Sequence, residues 1–157
     1  METQTLIVAF FALCGAGILL SLAMPASQQG NVLAWLGCLA ATALILAGAN
    51  ALLAGHTFSQ PLWSLPGLTT LTVNLDGLSA VFIFVTGLVL FPASIFAGGE
   101  LNHQSERGNG RTFTVLMFGL YASIVLIFIA GDAVLFLLAW EAMSIFSYLL
   151  MVQKRGQ

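Results

Sequence analysis

Charge is what this sequence lacks. Only 6% of its 157 residues are charged, four basic and six acidic, against about a quarter in a soluble globular domain. A surface so poor in charge does not face water. The net charge of -2 offers no electrostatic footprint for an acidic partner, and no basic patch with interleaved aromatics speaks for nucleic acid. Cysteine is scarce as well: Cys14 and Cys38 both fall in apolar runs, away from any CxxC pattern or histidine. They read as two inert thiols acting as small hydrophobes, with pairing across the first two spans as the alternative. No Walker, GxSxG or HExxH pattern occurs, so neither a resident cofactor nor a metal site is expected. His56 and His103 fall in loops on opposite sides of the topology drawn below. They cannot share a metal and read as solvated side chains.

What the chain has in abundance is apolar residues, 59% of the total. A membrane-spanning helix needs about 20 of them in a row, because each backbone amide in hydrocarbon must be satisfied within its own segment. Five runs qualify, at residues 5–24, 32–54, 78–97, 112–130 and 133–152. The fold class expected is therefore all-α, a polytopic membrane helix bundle forming a single transmembrane domain over residues 1–157. The first run is too long for a signal sequence and has no basic residue ahead of it, so it reads as a retained helix.

The connections carry their own signals. Residues 55–76 combine Pro61, Pro66 and Gly67 with the alternation Leu68-Thr69-Thr70-Leu71-Thr72-Val73. This predicts a short hairpin on the membrane surface, with Trp63 as an interfacial anchor. Residues 99–111 read as a hydrophilic, mobile loop containing Gly108 and Gly110. Gly131-Asp132 alone joins the last two spans and makes them tight antiparallel neighbours. With five spans, Arg107, Arg111, Lys154 and Arg155 all lie on one side. The positive-inside rule makes that side cytoplasmic and puts the N-terminus outside. Gly15, Gly37 and Gly48, interspersed with alanines, predict close helix packing.

One charge sits well inside a span. Glu141 lies in the middle of the fifth apolar run, where a carboxylate costs about 2.5–3.5 kcal/mol even on the gentler insertion scales. Desolvation would favour its neutral form unless a cation lies close. Helical spacing puts Ser144 and Tyr148 on the same face. A buried carboxylate among hydroxyls is what a proton carrier needs; the alternative is a protonated glutamic acid serving as interhelical glue. Asp76 and Asp132 each precede an apolar run and suit the helix N-cap.

The run Leu135-Phe136-Leu137-Leu138-Ala139-Trp140-Glu141-Ala142-Met143-Ser144, continuing to Ser147-Tyr148-Leu149-Leu150, resembles the fifth helix of the antiporter-like proton-pumping membrane subunits. These occur in respiratory complex I, in Mrp-type antiporters, and in hydrogenase 4 or formate hydrogenlyase complexes. Asn74-Leu75-Asp76-Gly77-Leu78-Ser79-Ala80 resembles the entry to the family's third helix, and Val152-Gln153-Lys154-Arg155 is most similar to the hydrogenase 4 and formate hydrogenlyase large membrane subunit.

The resemblance implies that Glu141 carries protons, that Asp76 is a second candidate, and that a lysine on the family's seventh helix is the partner of the glutamate. Family members run to about fourteen helices, so these residues correspond to an N-terminal portion. Lys154 does not replace the missing lysine, since it lies 13 residues beyond Glu141, or about 20 Å along a helix. The expected function is therefore the N-terminal segment of a proton-translocating subunit, split or truncated, in the cytoplasmic (inner) membrane. Its expected partners are the lipid bilayer, other membrane subunits of an oxidoreductase complex, and a second chain supplying the missing helices. The rival expectation is a structural or assembly subunit, or a remnant, that moves no protons.

Overall fold

Each of the five apolar runs satisfies its backbone by becoming a helix. The computed structural model describes residues 2–55, 58–65, 69–103 and 110–155. Its helices are α1 (Thr3–Ala23), α2 (Gln29–Ala54), α3 (Gly77–His103), α4 (Gly110–Ile129) and α5 (Ala133–Arg155), all long and apolar enough to cross a membrane. Two strands, β1 (Phe58–Leu65) and β2 (Thr69–Leu75), pair antiparallel between α2 and α3. The polytopic bundle and the hairpin expected from the sequence are both present. His56 lies outside the described residues, as do Pro66, Gly67, Leu68, Arg107 and Gly108; of Trp63, His103, Lys154 and Arg155 only the backbone is described.

Local chemistry sets the helix ends. Pro25 closes α1, whose last turn is completed by the Met24 N–H donating to the Leu20 carbonyl at 2.8 Å. A 3-10 turn, Ala26–Gln28, leads directly into α2. α2 thus starts three residues before the apolar run at 32–54, and its first residue, Gln29, is fully buried. Its Nε2 donates to the Ser21 carbonyl at 2.9 Å and the Met24 carbonyl at 3.1 Å, serving oxygens that the end of α1 leaves without helical partners. At the other end of α2, Gly55 takes a left-handed φ of 66° that only glycine adopts freely.

α2 and α3 pack most closely, through small residues on both. Gly30, Gly37 and Gly48 of α2 lie against Gly98, Ser94 and Phe84 of α3. A Cβ at Gly98 would lie 2.6 Å from the Gly30 carbonyl oxygen and 2.7 Å from the Ala34 Cβ. This contact explains why α3 continues past residue 97: Gly98 and Gly99 do not stop it, since backbone approach to α2 outweighs glycine's weak helix propensity. Asn102 secures the extra turn, donating from Nδ2 to the Asn31 Oδ1 at 3.0 Å.

The sequence expectation for glycine holds at Gly37 and Gly48 but not at Gly15, which has no neighbouring atom within 4 Å of its Cβ position. Gly17, two residues further on, makes the close contact instead, against the Phe118 ring of α4. The buried centre of the bundle contains Phe10, Leu33, Leu44, Ile83, Phe118 and Val125.

α5 stands at the edge. Only 11% of its spanning segment is buried, against 50% for α2, so almost all of its surface is left for lipid or further protein. It packs along α4, where Phe146 fills the space left by the absent side chain of Gly119.

Candidate functional site

The inward stripe of α5 is Leu135, Ala139, Ala142, Met143, Phe146 and Leu150, all buried or half-buried. At 100° per residue these positions cluster about one side of the helix, and Glu141 and Tyr148 fall on the other. Glu141, Ser144 and Tyr148 are all exposed, and Tyr148 is 65% so. The spacing argument holds: the three residues share one face. The expectation that Glu141 is buried does not hold within these five helices, because α4, the spanning helix that α5 packs along, lies on its opposite side.

Among the described residues no hydrogen bond or ion pair reaches the Glu141 carboxylate. Ser144 does not turn toward it; its hydroxyl donates to the Trp140 carbonyl one turn back at 3.0 Å. The face therefore presents an acid, a back-bonded serine hydroxyl and a phenol, bordered by Leu137, Trp140 and Ile145. Such a face offers the Glu141 carboxyl as a hydrogen-bonding group. It can also accept a cation held at the same depth by another helix.

Asp76 and Asp132 occupy the hairpin end of the bundle, away from Glu141. Asp76 caps α3 by accepting the Ser79 N–H on Oδ1 at 2.7 Å. That bond from Ser79 holds its carboxyl below the ordinary value. Asp132 caps α5, with Oδ1 accepting the N–H groups of Leu135 at 2.9 Å and Val134 at 3.0 Å. Its second oxygen reaches outside the helix and accepts the Thr72 N–H of β2 at 2.7 Å. Bonds from Leu135 first, then Thr72 and Val134, hold its carboxyl below the ordinary value. Glu141 lies nine residues beyond Asp132, about 13 Å deeper along the helix. The structure thus separates Asp76 from the Glu141 face instead of joining the two.

Sequence reasoning missed a buried hydroxyl pair. Ser94 of α3 and Tyr121 of α4 meet at 3.2 Å in the bundle interior, and the Ser94 hydroxyl also donates to the Leu90 carbonyl at 2.8 Å. With the serine proton committed to Leu90, the tyrosine is the donor. The available signal was weak, since Ser94 and Tyr121 share their spans with the hydroxyls of Thr86, Thr114 and Ser123. Cys14 and Cys38 are both free thiols; Cys14 is buried as expected, whereas Cys38 is only half-buried, and no group of three or more metal-ligating side chains occurs among the described residues.

No family model matches the chain. It is 35% identical over 86 residues to NAD(P)H-quinone oxidoreductase chain 4-2 of Synechocystis sp., covering 55% of this chain and 14% of that protein. It is 38% identical over 85 residues to NAD(P)H-quinone oxidoreductase chain 4 2 of Microcystis aeruginosa, covering 54% of this chain and 14% of that one. The alignments thus span about one-seventh of the length of the curated relatives. They bear out the resemblance to antiporter-like membrane subunits of the complex I type. Both relatives are quinone oxidoreductase chains and not hydrogenase 4 or formate hydrogenlyase subunits.

Proposed function

We propose that this chain is the N-terminal five-helix segment of a proton-translocating membrane subunit, with Glu141 as the proton-carrying group. The observation that carries the reading is a carboxylate placed deep in a spanning helix, on a face its own bundle leaves open. Facing lipid, the ionised form costs about 2.5–3.5 kcal/mol, so the face is stable when further protein covers it. A basic side chain from that protein would favour the ionised form, and its withdrawal would favour the protonated one. Alternation between the two is the elementary step of proton transfer. The lysine supplied by the family's seventh helix suits that role, and a second chain or a continuation of this one would provide it. Ser144 and Tyr148 line the face, and Asp76 is a secondary candidate nearer the surface.

In this reading the redox chemistry belongs to other subunits of a quinone-reducing complex of the complex I type, or of a hydrogenase 4 or formate hydrogenlyase complex. The segment sits in the cytoplasmic membrane with its basic end inside, in accord with Arg111 at the end opposite the hairpin. No cofactor or nucleic acid enters the scheme.

A second reading has an observation of its own. Ser144 bonds to its own helix and not to Glu141, as it would if the face served only for attachment. The chain would then be a structural or assembly subunit without transport.

Purifying the tagged chain from native membranes in mild detergent tests the proposal. Recovery with an oxidoreductase complex and with protein supplying further helices is expected. Recovery of the chain alone would overturn it.

A further inference from the structure

α5 has little to hold it. Its spanning neighbour α4 supports one side, and the rest of its surface is open. Among the described residues β2 also meets it, at the turn that leads into it, through backbone groups and one carboxylate. The Gly131 N–H donates to the Thr72 carbonyl at 2.8 Å, the Thr72 N–H returns to Asp132 Oδ2 at 2.7 Å, and Val73 bridges Ala130. A Cβ at Gly131 would lie 2.6 Å from the Thr72 Oγ1 and 3.0 Å from the Thr72 carbonyl oxygen, so the approach depends on glycine. The Asp132 carboxylate thus divides its oxygens: Oδ1 serves the helix amides and Oδ2 serves the strand.

An N-cap alone needs one acceptor oxygen, and serine supplies that as well as aspartate does. The second oxygen does something a cap does not require. From this we infer that Asp132 is a positioning residue, which joins the hairpin to α5 and so fixes the direction in which the Glu141 face points.

The inference follows from two supports of different kinds. Phe146 against Gly119 seats α5 on α4 deep in the span, while Asp132 with Gly131 holds its hairpin end. Glu141 lies between them. Side-chain packing along α4 limits the roll of α5 by shape alone, and the bonded joint at its hairpin end adds a directional hold. The hairpin is in turn tied to the start of α1, where Gln60 and Gln4 exchange hydrogen bonds at 3.0 and 3.3 Å. The direction of Glu141 is therefore referred to the bundle by two routes, through α4 and through the hairpin. The joint stands on its own geometry; its consequence for proton transfer rests on the proposed role of Glu141.

Asp132→Ser separates the two oxygens: the serine hydroxyl retains a cap and loses the tether. Thr72→Pro removes the tether from the strand side. The Thr72 N–H faces Asp132, so this proline leaves the carboxylate intact. The test uses the full chain in membranes, with Cys14 and Cys38 replaced by alanine and spin labels at Ser59 on β1 and Ile145 on α5. The distance distribution between the labels is expected to shift and broaden in Asp132→Ser and again in Thr72→Pro. Thr72 amide exchange in Asp132→Ser should rise roughly tenfold, the loss expected for one charge-assisted bond, while the Leu135 amide keeps its protection. An unchanged distance distribution in Asp132→Ser would overturn the inference. Proton movement that survives Glu141→Gln would overturn the proposed function and leave the joint standing.

Discussion

Asp132 and Thr72, separated by 60 residues in sequence, share a hydrogen bond of 2.7 Å that closes the hairpin onto the turn between α4 and α5. The three-residue connection Ala130-Gly131-Asp132 therefore has two structural duties: it reverses the chain, and it carries the acceptor that receives β2. Both residue types are needed, since glycine permits the approach of the strand and aspartate supplies the oxygens.

This carboxylate gives the hairpin contact a defined pH range. Its folded-state pKa lies below the ordinary 3.8, because backbone N–H groups bond to its charged form. A group with a depressed folded pKa contributes stability that is present above its unfolded value and lost as pH falls through the folded one. Protection of the Thr72 amide, corrected for the intrinsic exchange rate, should thus hold from neutral pH down to 3.8 and fall only below it. A loss of protection at weakly acid pH would contradict this.

The glycine contacts predict opposite outcomes at two positions. Gly98→Ala forces a methyl group onto the Gly30 carbonyl, which cannot move away without displacing α2. Overpacking of this kind costs about 1–3 kcal/mol. Gly15→Ala meets nothing within 4 Å and gains helix propensity of up to about 1 kcal/mol. Reversible unfolding in mixed micelles should rank the variants Gly15→Ala, wild type, Gly98→Ala in falling stability.

The Ser94–Tyr121 pair predicts an asymmetry. Tyr121→Phe removes the donor but leaves the Ser94 hydroxyl bonded to Leu90, for a loss of about 0.5–1.5 kcal/mol. Ser94→Ala leaves a buried phenol without its acceptor and should cost more, about 1–3 kcal/mol. The same unfolding measurement checks the order, and equal losses would show that the tyrosine finds another partner.

Much of this architecture is legible in the sequence, because the membrane imposes a one-dimensional rule. Runs of apolar residues become helices, and the five runs mark the five helices to within three residues except at the end of α3, which runs six residues further. The caps at Asp76 and Asp132 and the hairpin are equally local. What escaped was non-local. Glu141, Ser144 and Tyr148 share a face, as helical spacing requires, but spacing does not say which side of a helix its neighbours occupy. The assumption that a mid-span carboxylate is buried therefore failed for this bundle. The second bond of Asp132, the extension of α3 past Gly98 and the meeting of Ser94 with Tyr121 all depend on partners distant in sequence. Gly15 and Gly17 show the same limit on a smaller scale: both are small residues of α1, and only the position of Phe118 decides which of them packs.

Glu141→Gln is the decisive variant, made in the assembled complex in native membrane vesicles, with substrate-driven proton movement and complex assembly measured together. Glutamine keeps the size and polarity of the side chain but cannot bind and release a proton. Normal assembly is expected, with coupled proton movement lost or reduced by at least about a hundredfold, the lower end of the range over which general acid–base groups act. Proton movement at the wild-type rate, with the complex intact, would contradict it and leave the open face of α5 as a site of attachment alone.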